Sequence, residues 1–225
     1  MQRLCRLQLA VAVAMLVSTG ARAFDQSPQV GPPFETDIRK FEEADAQQAP
    51  AEGGIVFVGS SSIVRWSTLK EDFPGIPVIN RGFGGSAISD SVRYARRIVT
   101  KYKPKMVVFF AGSNDLASGK KSDEVVADFR KFVAIVHEDL PKTKIVFLSI
   151  TPAPSRQQLW PAMQEVNHTV QAICKKGPNL QFVDFWSQFL TKEGGPRPEI
   201  FVEDQLHMNP KGYAIWVAGL KSVVK

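Results

Sequence analysis

Five short apolar runs punctuate the chain: Ile55–Val58, Pro77–Ile79, Met106–Phe110, Ile145–Leu148 and Phe182–Phe185. A strand solvated on one face alternates apolar with polar residues, whereas a near-continuous run predicts a strand covered on both faces. Between the runs, apolar residues recur at helical spacing. Val92, Ala95, Val99 and Tyr102 share one face, Val125, Phe129, Phe132, Val133 and Val136 a second, and Leu159, Met163, Val166, Val170 and Ile173 a third; Tyr213, Trp216, Val217 and Leu220 close the series. Asn209-Pro210 predicts the start of that last helix, with Asn as N-cap and Pro in the first helical position. Upstream, Phe34, Ile38 and Phe41 follow the same spacing before Pro50 and Gly53-Gly54 break the chain. Strands alternating with helices predict an α/β fold: a single-domain, doubly wound sandwich around a five-stranded parallel sheet, in the flavodoxin-like order 2-1-3-4-5. Residues 54–225 carry this domain, and 24–53 form an N-terminal extension whose one helix packs on it. No internal repeat or low-complexity tract interrupts the pattern.

The first 23 residues follow another logic. Arg3 and Arg6 precede an apolar stretch from Leu7 to Val17, and Ala21-Arg22-Ala23 ends it with small residues flanking one position. This is the pattern of a signal peptide removed after Ala23, which predicts an exported protein, periplasmic or secreted. The stretch is shorter than the roughly 20 residues of a spanning helix, so no stable membrane span is expected. An uncleaved anchor is the rival reading.

Charge changes its meaning once that segment is set aside. The chain of 225 residues holds 28 Lys+Arg against 22 Asp+Glu, and losing Arg3, Arg6 and Arg22 leaves 25 against 22, a net +3 instead of +6. The remaining basic residues are scattered, without interleaved aromatics, which speaks against a nucleic-acid groove. Cys174 is then the one cysteine left, so no intrachain disulfide can form, and its place on an apolar helix face predicts a buried, inert thiol. Metal-ligand spacing is missing: the three histidines lie far apart, and no Cys pair accompanies them.

In an open α/β sheet, ligands bind beyond the carboxyl ends of the strands. The residues that follow each strand are therefore the candidate chemistry. They are Gly59-Ser60-Ser61-Ser62, then Asn80-Arg81-Gly82-Phe83-Gly84-Gly85-Ser86, then Gly112-Ser113-Asn114-Asp115, then Thr151 to Arg156, and after the last strand a loop ending in Asp204-Gln205-Leu206-His207. Singly, each has a plain structural explanation: serines cap helices, Asn makes turns, and glycines serve unusual dihedrals. Jointly they supply a nucleophile, a base, an acid to orient the base, and amide donors. A serine hydroxyl needs an imidazole to take its proton, and the imidazole needs a carboxylate on its other nitrogen. Asp204, three residues before His207, can reach back to that nitrogen. The oxyanion of a tetrahedral intermediate needs placed N–H groups, for which the backbone amides of Ser61 and Gly85 and the side chain of Asn114 are candidates.

These blocks resemble those of the SGNH (GDSL-type) serine hydrolases and esterases, over about Gly54 to Tyr213. The resemblance implies Ser61 as nucleophile, Gly85 and Asn114 with the Ser61 amide as oxyanion donors, Asp204 and His207 as the remaining catalytic pair, and no cofactor. One departure is Ser60, where the family usually has Asp; the family gives that position no catalytic role. Serine there is similar to the platelet-activating-factor-acetylhydrolase-like branch. Other motifs fail on spacing. Ile63 breaks any G-x-S-x-G around Ser61, Ala87 breaks a G-x-G-x-x-G, and Gly119-Lys120 lacks the rest of a phosphate loop.

The expected function is hydrolysis of carboxylic esters through an acyl-enzyme. Short, acetyl-type esters of carbohydrates or small molecules fit best, because the strand-end loops contain no long apolar lid. A lysophospholipase- or thioesterase-like lipid acyl hydrolase is the alternative, and a catalytically dead glycan- or lipid-binding module is the reading from another class. Phe83, Arg156 and Trp160, on loops beyond the strands, are candidate substrate contacts, although Trp160 before Pro161 can equally staple its helix. Trp66 is expected in the core, and His137 and His168 are expected to be structural or on the surface.

Overall fold

The computed structural model describes residues 31–225; the leader expected at 1–23 lies outside them. One parallel sheet holds the chain together: β1 (Ile55–Gly59), β2 (Val78–Gly82), β3 (Met106–Phe110), β4 (Lys144–Leu148) and β5 (Leu180–Val183), in the order 2-1-3-4-5. Register is set in pairs such as Gly59 beside Gly82 on one side and Phe110 on the other. Both the architecture and the strand order match the expectation from the apolar runs.

Continuous hydrophobicity is explained by two covered faces. Val56, Val58, Val107, Phe109, Ile145 and Phe147 point to one side, where they meet α4 (Ile88–Ile98), α6 (Ser122–Asp139) and α7 (Trp160–Lys176). Their neighbours Ile55, Phe57, Val108, Phe110, Val146 and Leu148 point to the other, against α8 (Pro210–Leu220) and the short helices α2 (Ser61–Val64) and α3 (Leu69–Asp72). Phe109 is fully buried and stacks on Phe132 with ring centroids 4.3 Å apart. Truncating such a side chain to Ala costs about 3–5 kcal/mol.

Helix α1 (Glu35–Gln47) buries Ile38 against the α4 side of the sheet. Arg97 of α4 clasps it, reaching Glu35 at 2.8 Å and Glu42 at 2.7 Å. That guanidinium holds the Glu35 carboxyl down at about 2. Deeper in, Arg81 on β2 pairs with Asp45 and lies over the Tyr102 ring. Asn209 caps α8, its side chain accepting from the Lys211 amide at 2.9 Å, with Pro210 in the first turn as expected.

One strand needs correcting. The run Phe182–Phe185 was expected to be extended throughout, but β5 covers Leu180–Val183 and is only half-buried along its length. As the edge strand it is covered less completely, so its apolar signal is diluted. Phe185 is buried after the strand has ended, its N–H donating to the Ser149 hydroxyl at 2.8 Å.

Cys174 lies on α7 at 6% exposure, and burial pushes its thiol up to about 11. A thiol whose pKa is raised by folding favours the native state at neutral pH, and that contribution is lost as the pH climbs through this value. In a chain lacking Cys5, a thiol-specific disulfide reagent at pH 8 should leave Cys174 unmodified for hours and react at once after denaturation. Prompt reaction of the folded protein would show that the side chain is not enclosed.

Candidate active site

The carboxyl end of β1 turns abruptly. Gly59 has φ of 149°, and a Cβ there would lie 1.9 Å from the Phe110 carbonyl oxygen of the adjoining strand, so no larger residue fits without moving that strand. The turn delivers Ser61 to the first position of α2. That short helix is pinned from below, where the Tyr213 hydroxyl donates to the Ser62 carbonyl at 2.9 Å. Trp66 just after it is buried, with its indole N–H on Asp72 at 2.7 Å.

The partner groups come from the other end of the chain. A tight loop runs between Phe201 and Met208, which pair as an isolated bridge, and Gln205 at its tip takes a φ of 53°. This curvature aims the backbone N–H groups of Leu206 and His207 at one oxygen of Asp204, both at 2.9 Å. The other carboxylate oxygen lies 2.6 Å from His207 Nδ1, and His207 Nε2 lies 2.8 Å from Ser61 Oγ. Partial burial works against ionisation of Asp204, but the His207 amide, the His207 ring and the Leu206 amide outweigh it and hold the carboxyl at about 2. An ionised carboxylate can only accept, so Nδ1 carries a ring proton, and in the neutral ring this leaves Nε2 as the acceptor facing the serine hydroxyl. Arg65 stands 4.0 Å from Asp204, with both side chains about half exposed, and such a contact adds little.

Opposite Ser61, the end of β3 leads into α5 (Ser113–Ala117). Asn114 donates from Nδ2 to the Ser86 carbonyl at 3.1 Å, which fastens it to the turn that contains Gly85. Gly85 itself has φ of 81°, a left-handed conformation that glycine adopts without strain. Behind Asn114, Asp115 is fully buried; it accepts the Ile88 amide at 3.1 Å and the Lys120 ammonium at 3.1 Å. Burial raises its pKa, with Lys120 and the Ile88 amide opposing the rise.

Ser61, Asn114, Arg156 and His207 line one small cleft of about 30 Å³ together with Ser113 and Thr151. Asp204 backs it through His207. Concavities of about 480 and 560 Å³ lie elsewhere, one at Gly54–Val56 and Pro77–Ile79, the other along α8, and none of Ser61, Asp204 and His207 lines either. Among the described residues no cluster of three or more His, Cys, Asp or Glu side chains is placed to hold a metal ion, and no helix is long and apolar enough to cross a membrane.

Two candidate contacts fall away. Phe83 is 1% exposed and turned inward, its ring against Phe34 at 5.3 Å and Tyr94 at 6.2 Å, so it cannot meet a substrate. An aromatic in a glycine-rich turn follows the hydrophobic effect into the nearest core when α1 and α4 offer one. Trp160 is not among the cleft residues; its indole N–H binds the Ala153 carbonyl at 3.2 Å and its ring meets Trp186 edge-on, which is the stapling role. Arg156 does face the cleft. Ser113 and Thr151 are cleft residues that carry no role in the reading of the sequence; they adjoin Asn114 and the end of β4, which is the signal that points to them. His137 also proves structural, its Nε2 at 3.0 Å from the Thr143 carbonyl.

Comparison with known proteins bears on the fold and the family. The platelet-activating factor acetylhydrolase IB subunit alpha2 of Gallus gallus is 26% identical over 173 residues, which is 72% of each chain. A GDSL-like lipase from Bacteroides thetaiotaomicron VPI-5482 has a similar fold, with a TM-score of 0.72 at 23% identity over 84% of this chain and 97% of its own. A catalytic mutant of an acetylxylan esterase from Geobacillus stearothermophilus does so with a TM-score of 0.61 at 19% identity over 76% and 93%. The profile of the GDSL-like Lipase/Acylhydrolase family matches residues 20–215, embracing all four sequence blocks and the whole sheet. On that span the chain belongs to this family and is an ester-hydrolysing enzyme.

Proposed function

We propose that the protein removes short acyl groups, of acetyl size, from esters of carbohydrates or small polar alcohols, using Ser61, His207 and Asp204. The hydrogen-bonded chain from Asp204 through His207 to Ser61, opening into a cleft of about 30 Å³, carries this reading. Ser61 Oγ attacks the acyl carbon as its proton passes to His207 Nε2. The tetrahedral oxyanion is held by the backbone N–H groups of Ser61 and Gly85 and by Asn114 Nδ2. Collapse breaks the bond to the alcohol oxygen, which takes the proton from Nε2 and leaves. Water then attacks the acyl-enzyme, giving its proton to His207, and a second collapse returns that proton to Ser61 and frees the acid. Asp204 stays ionised throughout and stabilises the imidazolium.

Acyl size follows from space. The enclosed part of the cleft beside Ser61, about 30 Å³, suits a small acyl group such as acetyl, and among its walls Ser113, Thr151 and Arg156 offer polar groups to a hydroxylated alcohol beside the apolar Phe110, Ala153 and Leu206. An acetylhydrolase and an acetylxylan esterase among the similar proteins agree with this. Across p-nitrophenyl esters of increasing length, kcat/KM should be highest for acetate and fall at least tenfold by hexanoate, with acetylated sugars also turned over. An optimum at octanoate or beyond would favour a lipid acyl hydrolase instead.

A further inference from the structure

A side-chain amide has two ends that look alike in shape and are opposite in chemistry, and an oxyanion donor is useful only one way round. Asn114 is held by one obligate donor and one obligate acceptor. Its Oδ1 receives an N–H from Arg156 Nη2 at 2.9 Å, while its Nδ2 donates to the Ser86 carbonyl at 3.1 Å. A guanidinium has no acceptor and stays protonated, so the oxygen of Asn114 cannot be turned toward the cleft while Arg156 is present. One N–H of Nδ2 remains for the substrate. The same guanidinium donates from Nη1 to Ser113 Oγ at 2.7 Å, a fork across consecutive residues of α5.

Arg156 is itself anchored. The preceding Ser155 gives both its backbone N–H, at 3.1 Å, and its hydroxyl, at 3.0 Å, to the Gln205 carbonyl in the tip of the Asp204–His207 loop. The loop after β4 thus touches the amide side of the cleft with one residue and the imidazole side with the next. Arg156 is half-buried and forms no salt bridge among the described residues, which leaves its charge unneutralised beside the place where negative charge develops.

We infer that Arg156 is a positioning residue for ester hydrolysis, locking the Asn114 amide with its N–H toward the oxyanion. This rests on the acyl-enzyme reading above. A neutral ester separates the inference from a role in substrate binding. On p-nitrophenyl acetate, Arg156→Ala should lower kcat roughly 10- to 100-fold with KM within about twofold, less than the 10²–10³ expected for Asn114→Ala. Adding Arg156→Ala to Asn114→Ala should then cost almost nothing, because the lock has nothing left to hold. Arg156→Lys should recover part of the rate, and millimolar guanidinium should accelerate Arg156→Ala but not the double variant.

Effects that multiply in the double variant would overturn the inference, as would an unchanged kcat in Arg156→Ala. A rise in KM confined to anionic esters would do so too, assigning Arg156 to substrate binding. Ser61→Ala, run alongside, keeps the layers apart. If it is dead and Asn114→Ala is slow while the cycle is additive, only the lock falls; if Ser61→Ala is active, the acyl-enzyme reading falls and takes the lock with it. Should Arg156→Ala fail to fold by circular dichroism, the same cycle is run with Arg156→Lys, with a smaller step expected at each arm.

Discussion

Ser61→Ala should lower kcat on p-nitrophenyl acetate by roughly 10⁶, leaving a residue of activity due to the oxyanion donors and binding alone. The size of the loss follows from what replaces the serine. Without Oγ no acyl-enzyme forms, and water must attack directly with His207 as its base, in a cleft shaped for a different nucleophile. Folding should be untouched, because the hydrogen bond recorded for the Ser61 hydroxyl runs to His207 and the helix is held by Tyr213 through the Ser62 carbonyl. A fluorophosphonate probe should label the wild-type protein at Ser61 and fail to label the variant. Turnover within tenfold of wild type, in a variant with an unchanged melting temperature, would remove Ser61 from the reaction.

Asp204→Asn should cost about 10⁴ in kcat, by the tautomer argument for serine triads. Asn would present an N–H to Nδ1, so the ring proton would move to Nε2 and face Ser61 with a donor where an acceptor is needed. Two amides, those of Leu206 and His207, also lose an anion and keep a weaker acceptor. Because the carboxyl is held at about 2, it remains ionised over the whole range in which the enzyme would be assayed. The sign for stability follows. A carboxyl whose pKa is depressed by folding stabilises the native state above its unfolded value of about 4, and that contribution is lost as the pH falls toward 2. Wild type and Asp204→Asn should therefore differ in melting temperature at pH 7, draw together below about pH 4, and converge only near pH 2. A variant that keeps more than a tenth of the wild-type rate would show that His207 does not need its partner.

How far the sequence alone reaches depends on what each residue touches. Strands buried on two faces announce themselves, as Ile55–Val58 and Met106–Phe110 do, because every side chain must be apolar. β5 blurs at the sheet edge, where Gln181 is tolerated. The four- and five-residue helices α2, α3 and α5 leave no periodic trace, since a single turn is shorter than the repeat that reveals a helix. That Ser61, Asn114 and His207 share one cleft is foreshadowed by their places after strands, where an α/β sheet puts its ligands. Phe83 was misread because its position in the turn suggested exposure while its ring followed Phe34 and Tyr94 inward. The hold of Arg156 on Asn114 was invisible: the two lie 42 residues apart, and nothing local to either records the other.

The hydroxyl of Ser61 and the ring of His207 are separated by 146 positions along the chain. Between them lie the strands β2 to β5, so their meeting depends on the sheet that these strands build. Catalysis by this protein is thereby an assay of assembly. On the proposed mechanism, a collapsed species with its helices formed and its side chains unpacked would look nearly native to far-ultraviolet spectroscopy and yet be silent toward ester, and a fragment ending before the final loop would hold Ser61 without the ring of His207.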